Sequence, residues 1–393
     1  MNQSPTQPSP AEHLEVRADR AAAQGDLASA RALLEQLTSA EPDRVDPWLK
    51  LAAMCSGLGD VEGALAAVSS ALELDPLGFV PLLLKASLLE RAGRSEEAGE
   101  FYGYALAQRP SAVAAHLRTM VAHAESFHAG HVEQKVARLV AAEAAVGARL
   151  TGRERHRTDR FRRNIVRLAK AYHSEPTHFH YPGLREREFH DPEQFPWLAE
   201  LEEATPAILA DFQRVMESER AQLVPYIQYP ADVPLRQWAE LNQNRAWTAI
   251  HLVQNGVTIE ANARHCPSTM DLLGRLDQPA IPNRGPNAMF SLLAPGAHIP
   301  AHHGVANVRL VCHLPLIVPP GCWFRVGADR REWEVGKAWV FDDTIEHEAA
   351  NTSDTLRVIL IVDTWHPDLS AAERSAVTAI MAATDPADAA EGL

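Results

Sequence analysis

Hydrophobic and polar positions follow two different rhythms along this chain, and the change falls near His173. From about residue 11 to about Tyr172 the apolar residues recur as they do on amphipathic helices. Beyond Arg245 they fall in short β-rich runs bounded by Gly, Pro and Asn: AWTAIHLVQNG, AMFSLLAPG, NVRLVCHLPLIVPP, CWFRVG, KAWVFDD and LRVILIVDTW. Short strands separated by turn signals predict an antiparallel sandwich or barrel. Between the two regions, HFHYPGL and the Pro-rich stretch to Trp197 read as loop, and LAELEEATPAILADFQRVMESE as an amphipathic helix. The Ser/Pro/Gln-rich residues 1–10 are expected to be disordered, and residues 371–393 to form an Ala/Asp-rich helical tail.

The helical region repeats. Gly25, Gly59 and Gly93 stand 34 residues apart, and so do Ala30, Ala64 and Ala98, and Pro42, Pro76 and Pro110. The Gly is expected to end one helix, and Asp26, Asp60 or Ser95 to start the next. The small Ala sits where two helices approach closely, and the Pro closes the unit. A period of 34 is that of tetratricopeptide helix pairs, which are binding scaffolds with a concave face suited to peptides.

In the β-rich region the alternation carries chemistry. In NVRLVCHLPL, Val308, Leu310, Cys312 and Leu314 share an apolar face that should pack on helices, while Arg309, Val311 and His313 share the other. In TLRVILIVDTW, Leu356, Val358, Leu360 and Val362 face one way, and Arg357 and Asp363 the other. Two strands with an Arg opposite the apolar face predict a barrel with a polar, anion-accepting interior.

Composition narrows the functional classes. Apolar residues make up 46% and charged residues 22%, an ordinary globular balance, and the net charge of −14 speaks against binding nucleic-acid phosphate. The four cysteines Cys55, Cys266, Cys312 and Cys322 are scattered, so neither a disulfide framework nor a Cys-rich zinc site is expected. With no signal-like N-terminus and no apolar run long enough to span a bilayer, a cytoplasmic location without membrane contact is expected. Arg153, Arg155, Arg157, Arg160, Arg162 and Arg163, interleaved with Glu154 and Asp159, read as a solvated helical face.

Eighteen histidines invite a metal hypothesis. His302 precedes the first of the two strands and His347 precedes the second, and two neutral imidazoles at a barrel mouth suit a first-row metal such as Fe(II). The carboxylate that completes a facial triad would fall at Gly304. Glu346 and Glu348 point away from His347 on an extended chain, and Asp342 or Asp343 can substitute only through a bend, so two protein ligands are expected. His298 and His303 are rival ligands, and His178 and His180 read as loop residues.

The ordered stretch from Ser291 through His302-His-Gly, Asn307-Val-Arg-Leu-Val-Cys-His313, Phe341-Asp-Asp343, Glu346-His347-Glu348 and Arg357 to Asp363-Thr-Trp365-His366-Pro367 resembles the aspartyl/asparaginyl β-hydroxylase family. The resemblance covers roughly residues 175–370. It implies a 2-oxoglutarate- and O2-dependent Fe(II) oxygenase on a double-stranded β-helix, a jelly-roll or cupin-like fold. In that family too the third carboxylate is missing, and some members carry N-terminal tetratricopeptide repeats. By position, the resemblance implies His302 and His347 as iron ligands, and Ser291, His313, Arg357 and Arg309 as binding 2-oxoglutarate, with Arg357 on the distal carboxylate. The animal hydroxylase has a second substrate-contacting Arg where this chain has Val311, which bears on specificity for Asp or Asn.

The expected fold is α+β and multidomain: a helical tetratricopeptide solenoid over residues 11–125, a connector over 126–174, the oxygenase domain with supporting helices over 175–370, and the tail. The expected activity is hydroxylation of an unactivated C–H, on an Asp/Asn-type β-carbon of a peptide or protein bound with help from the repeats. Alternatives are a free amino acid, a peptide natural product or a lipid as substrate, or a non-catalytic adaptor with a relic oxygenase domain.

Overall fold

The structure, a computed structural model, describes residues 9–218, 223–230 and 235–384. Its contacts divide the chain into two compact units, Met1–Leu168 and Ala169–Leu393.

The first unit consists of helices α1 (Pro10–Ala23), α2 (Leu27–Ala40), α3 (Val45–Gly57), α4 (Val61–Leu74), α5 (Phe79–Arg91), α6 (Ser95–Ala107), α7 (Arg118–Gly147) and α8 (Gly152–Ile165). The 34-residue landmarks have the roles their chemistry suggests. Gly25, Gly59 and Gly93 follow α1, α3 and α5 with φ of 79°, 81° and 75°, the left-handed conformation that only glycine adopts without steric penalty. Asp26 and Asp60 accept hydrogen bonds from the amides of Ser29 and Gly63, capping α2 and α4. The third unit departs from the pattern: Arg94 is the N-cap of α6 and its side chain pairs with Glu97 without capping the helix amides, while Ser95 is already helical. That forgoes the ~1 kcal/mol of a polar cap. Ala30, Ala64 and Ala98 have no exposed surface and let successive helices meet around one apolar core. Residues 1–8, most of the stretch expected to be disordered, lie outside the described residues. Ser9 and Pro10 instead open α1, Ser9 exchanging hydrogen bonds with Glu12 in a capping box.

In the second unit α9 (Leu198–Glu203) and α10 (Thr205–Glu217) replace the single helix expected there, the break coming just before Pro206. Then come β1 (Val224–Pro225), β2 (Trp247–Gln254), β3 (Val257–Thr258), α11 (Glu260–Ala263), α12 (Pro267–Leu273), β4 (Ala288–Leu293), β5 (His298–His302) and β6 (Arg309–Ile317). They are followed by β7 (Cys322–Val326), β8 (Asp329–Glu332), β9 (Trp339–Phe341), β10 (His347–Asn351), β11 (Arg357–Trp365) and α13 (Ala371–Ala382). Residues 385–393 of the expected tail lie outside the described residues.

One sheet has the order β1-β2-β4-β11-β6-β9, with β3 on β2, and the other the order β5-β10-β7-β8. All the pairings are antiparallel. From β4 onward the chain passes from sheet to sheet, staying in one sheet only for the β7–β8 hairpin. The alternation read from the sequence sorts the layers. Leu310, Cys312, Leu314, Val358, Leu360 and Val362 pack outward against Ile208, Phe212 and Val215 of α10 and Leu272 and Leu273 of α12. Met289, Val311, Ile359 and Ile361 of the large sheet meet Ile299, Phe324, Val326 and Ala349 of the small one. The two sheets therefore face each other, and inward side chains from both line what lies between.

The left-handed turns are open to a direct check. Gly59→Ala places a Cβ in that conformation and should lower stability by about 1–2 kcal/mol. Gly59→Asn should recover part of this, as read by urea unfolding of both variants.

Candidate active site

Between the sheets lies a cavity of about 240 Å³ lined by inward residues of β2, β4, β5, β6, β10 and β11. His347 opens β10 directly across the ladder from His302, the last residue of β5, so the two imidazoles leave the same face. Their ring centroids are 4.1 Å apart. His302 Nδ1 lies 2.7 Å from the Pro300 carbonyl and His347 Nδ1 3.1 Å from the Ile345 carbonyl. A carbonyl only accepts, so each Nδ1 carries the proton and each Nε2 keeps its lone pair for a ligand. Burial pulls His302 well below the usual imidazole range and His347 down to about 3, so both are neutral at physiological pH.

Gly304, at the position of the absent triad carboxylate, has its side-chain space occupied: a Cβ there would collide with the Asp343 carboxylate. The bend that brings Asp343 in is made by its neighbour. Asp342 Oδ1 accepts the Thr344 amide at 2.9 Å and the Thr344 hydroxyl at 2.5 Å, turning the chain between β9 and β10. Asp343 Oδ2 lies 3.0 Å from Arg309 Nη1, while its buried Oδ1 has no hydrogen-bond partner. Among the described residues no group of three or more His, Cys, Asp or Glu side chains converges as a metal site. Two imidazoles and an adjacent carboxylate are what the site offers.

At the start of β11, Arg357 is 1% exposed, and no carboxylate pairs with it among the described residues. Its Nη1 is 3.4 Å from Ser291 Oγ and 3.5 Å from Ser291 O, its Nε has no partner, and its guanidinium carbon lies 5.0 Å over the Trp333 ring. Burial lowers its pKa to about 10. Ser291 on β4 is held by Trp247 Nε1–H, which donates to its Oγ at 3.0 Å. His313 on β6 lies among Phe341, Phe324 and Trp333, with its Nδ1 unpartnered. Burial, and then the Arg357 charge, keep it neutral.

Arg309 does not join this group. It pairs across the ladder with Trp365, eight residues beyond Arg357, roughly 27 Å along the strand at ~3.4 Å per residue. Its charge is taken by Asp343 at 3.0 Å and Asp363 at 3.7 Å. Burial works to lower its pKa, but the two carboxylates outweigh this and hold it above the ordinary value. Both arginines line the cavity, but the charge of Arg309 is already paired, unlike that of Arg357. His298 is half-exposed and pairs with Glu348; His303 lies 3.9 Å from Glu175; His178 bonds Thr177.

Sequence reasoning did not find Asp363 as a partner of Arg309, Trp247 as the anchor of Ser291, or His251. His251 lines the cavity on β2 with both ring nitrogens unpartnered, and burial lowers its pKa to about 4. Its inward position was readable from the alternation Trp247, Ala249, His251; its lack of partners was not.

Residues 202–367 match the family model described as aspartyl/asparaginyl beta-hydroxylase, and residues 21–88 a tetratricopeptide repeat model. Human aspartate beta-hydroxylase domain-containing protein 2 is 41% identical over 139 residues, which are 35% of this chain and 38% of that one. The chain thus spans well under half the length of this relative. The ornithine lipid ester-linked acyl 2-hydroxylase of Rhizobium tropici is 35% identical over 197 residues, 49% of this chain and 66% of that one. A solved structure of the Yersinia enterocolitica type III secretion chaperone SycD with a peptide of the translocator YopD is similar to 34% of this chain and 99% of its own, at 17% identity and a TM-score of 0.30.

The buried Asp342 makes a pH prediction. Burial raises its carboxyl to about 7, so between pH ~4 and ~7 the folded chain holds a proton that the unfolded chain releases. Its contribution to stability therefore falls as pH rises through that window, by up to ~1.4 kcal/mol per unit, and is flat above it. Asp342→Asn should gain stability relative to the parent as pH climbs from 5 to 7. A pH-independent difference in Tm would contradict the protonated state.

Proposed function

We propose that this chain, whose residues 202–367 form an aspartyl/asparaginyl β-hydroxylase family domain, is an Fe(II)- and 2-oxoglutarate-dependent dioxygenase. The observation that carries the reading is Arg357. A buried guanidinium without a carboxylate partner is costly to maintain, and a carboxylate arriving in the cavity removes that cost. Ser291, fixed by Trp247, and His313 line the approach to it, and the planar guanidinium fork matches a carboxylate bidentately. The strand order, with successive strands passing between two facing sheets, supports reading the domain as a double-stranded β-helix.

The residues fit the metal. His302 and His347 present two Nε2 lone pairs from adjacent strands, with the tautomer of each set by a backbone carbonyl, and would hold the iron. With 2-oxoglutarate and O2 it would supply the oxidising chemistry, converting 2-oxoglutarate to succinate and CO2 and placing one oxygen atom in a substrate C–H bond. The chain's own contributions are orientation and exclusion of water. Arg357 and Ser291 take the distal carboxylate of 2-oxoglutarate. Phe324, Phe341 and Trp333 close the wall around His313. Asp343 keeps a buried, unpartnered Oδ1 beside the position of Gly304, a spare acceptor close to the imidazole pair.

For the substrate, the family reading is the β-carbon of an Asp/Asn-type residue in a peptide or protein, with the repeats of residues 21–88 contributing to its capture. A second reading is favoured by Val311. It lines the cavity beside Arg309, whose charge is already committed to Asp343 and Asp363, so an acidic side chain finds no free cation there. An uncharged target, including an acyl chain such as the Rhizobium tropici relative's name describes, is compatible with that wall.

Succinate release from 2-oxoglutarate should require added Fe(II), and a product 16 Da heavier than its substrate should appear when peptide, amino-acid and lipid pools are screened. His302→Ala and His347→Ala should each abolish iron retention by equilibrium dialysis; iron retained in both refutes the ligand assignment. Arg357→Gln should raise the KM for 2-oxoglutarate about 100-fold while keeping iron. Binding of 2-oxoglutarate without any product would instead favour the adaptor reading.

A further inference from the structure

Helix α8 carries two kinds of surface that the catalytic reading does not use. Residues 149–168 contain eight arginines against Glu154 and Asp159, a charge of +6 within a chain of net −14, so the remainder carries −20. Arg153, Arg157, Phe161 and Ile165 follow one another at intervals of four, forming a single row along the helix, and all four are exposed. Phe161 is 64% exposed, Ile165 47% and Leu168 54%. Leu168 belongs to the same end of the helix: Arg167 adopts φ 58°, and the Leu168 amide returns to the Arg163 carbonyl. Arg162 is tied down by Glu143 and Asp159, but Arg155, Arg157 and Arg163 lie at the surface. None of the residues of α8 is buried.

We propose that α8 and the turn after it form a docking surface for an anionic phospholipid membrane. A solvated basic face accounts for the arginines and not for three large apolar side chains at the surface among them. In an interfacial helix the apolar groups enter the acyl boundary while the flanking guanidinium groups reach the phosphates. Each basic residue near an anionic leaflet adds about fivefold to partitioning. Nucleic acid is the poorer match, because the −20 carried by the rest of the chain opposes an extended polyanion, and because Phe161, Ile165 and Leu168 cluster at one end of the helix. No helix among the described residues is long and apolar enough to cross a membrane; a peripheral helix needs no such span. The surface thus departs from the expectation that no membrane takes part. The inference stands independently of the reaction proposed above.

The test is co-sedimentation of the full chain with vesicles of phosphatidylcholine alone and of phosphatidylcholine mixed with phosphatidylglycerol. Binding should appear with the mixed vesicles and weaken steeply as salt rises. Arg157→Gln/Arg163→Gln should lower the partition coefficient about 30-fold. Phe161→Ser should weaken binding while leaving its salt dependence in place; circular dichroism confirms that both variants keep their helix content. Absence of binding, equal binding to uncharged vesicles, or an unchanged double variant would overturn the proposal. So would self-association that Phe161→Ser abolishes, which would assign the face to a second copy of the chain.

Discussion

A guanidinium enclosed by two carboxylates holds one end of the cavity together. Arg309 opens β6, Asp363 is near the end of β11, and Asp343 belongs to the turn before β10, so one cation joins three segments far apart in the sequence. The surplus negative charge is met by Asn287 at the entry to β4, whose backbone amide and side-chain Nδ2 donate to Asp363 Oδ2 at 2.7 and 3.0 Å. Removing one member of such a buried set leaves an uncompensated charge, typically a loss of 3–5 kcal/mol. The geometry of the imidazole pair depends on it. The Asp343 carboxylate fills the space that Gly304 leaves, and the turn it anchors delivers His347 to its register opposite His302.

Arg309 and Arg357 show how much of this was readable. Both fall on the inward face by strand alternation, and in the sequence they look alike. What separates them is non-local: the carboxylate partners of Arg309 lie 34 and 54 residues away, in Asp343 and Asp363, and Arg357 has none among the described residues. The electrostatics follow, one guanidinium held above its ordinary pKa and the other brought down to about 10 by the same burial. Alternation fixes which face a side chain takes; it does not say which opposite charges the fold brings to that face.

The same division runs through the rest of the chain. Period and alternation gave the helix pairs, the outward apolar faces of β6 and β11 and the inward His313, because each depends on residues close in sequence. Local capping chemistry misled at Ser95, where the chain entered the helix one residue early, and the break before Pro206 needed the proline to be weighed against the amphipathic pattern. Asp343 was recognised as needing a bend. The bend comes from Asp342 and Thr344, an Asx turn whose residues stand side by side in the sequence.

The cavity that results is electrically uneven, and this bears on what can enter it. Its lining holds two cations, Arg309 and Arg357, and four neutral histidines, His251, His302, His313 and His347. At the Arg309 end two carboxylates outnumber the single guanidinium, and Val311 adds no charge. At the Arg357 end the guanidinium has no counter-ion among the described residues. A carboxylate is therefore attracted to one end and repelled from the other. At the Arg309 end the sign is reversed. An acidic group meets net negative charge there, whereas an amide, hydroxyl or apolar chain meets Tyr226, Met289, Ile361 and the unpartnered His251, whose neutral ring can both donate and accept. The character of that end thus rests on the lack of a free cation among the described residues as much as on any contact made, and a single basic residue at position 311 would cancel its net negative charge.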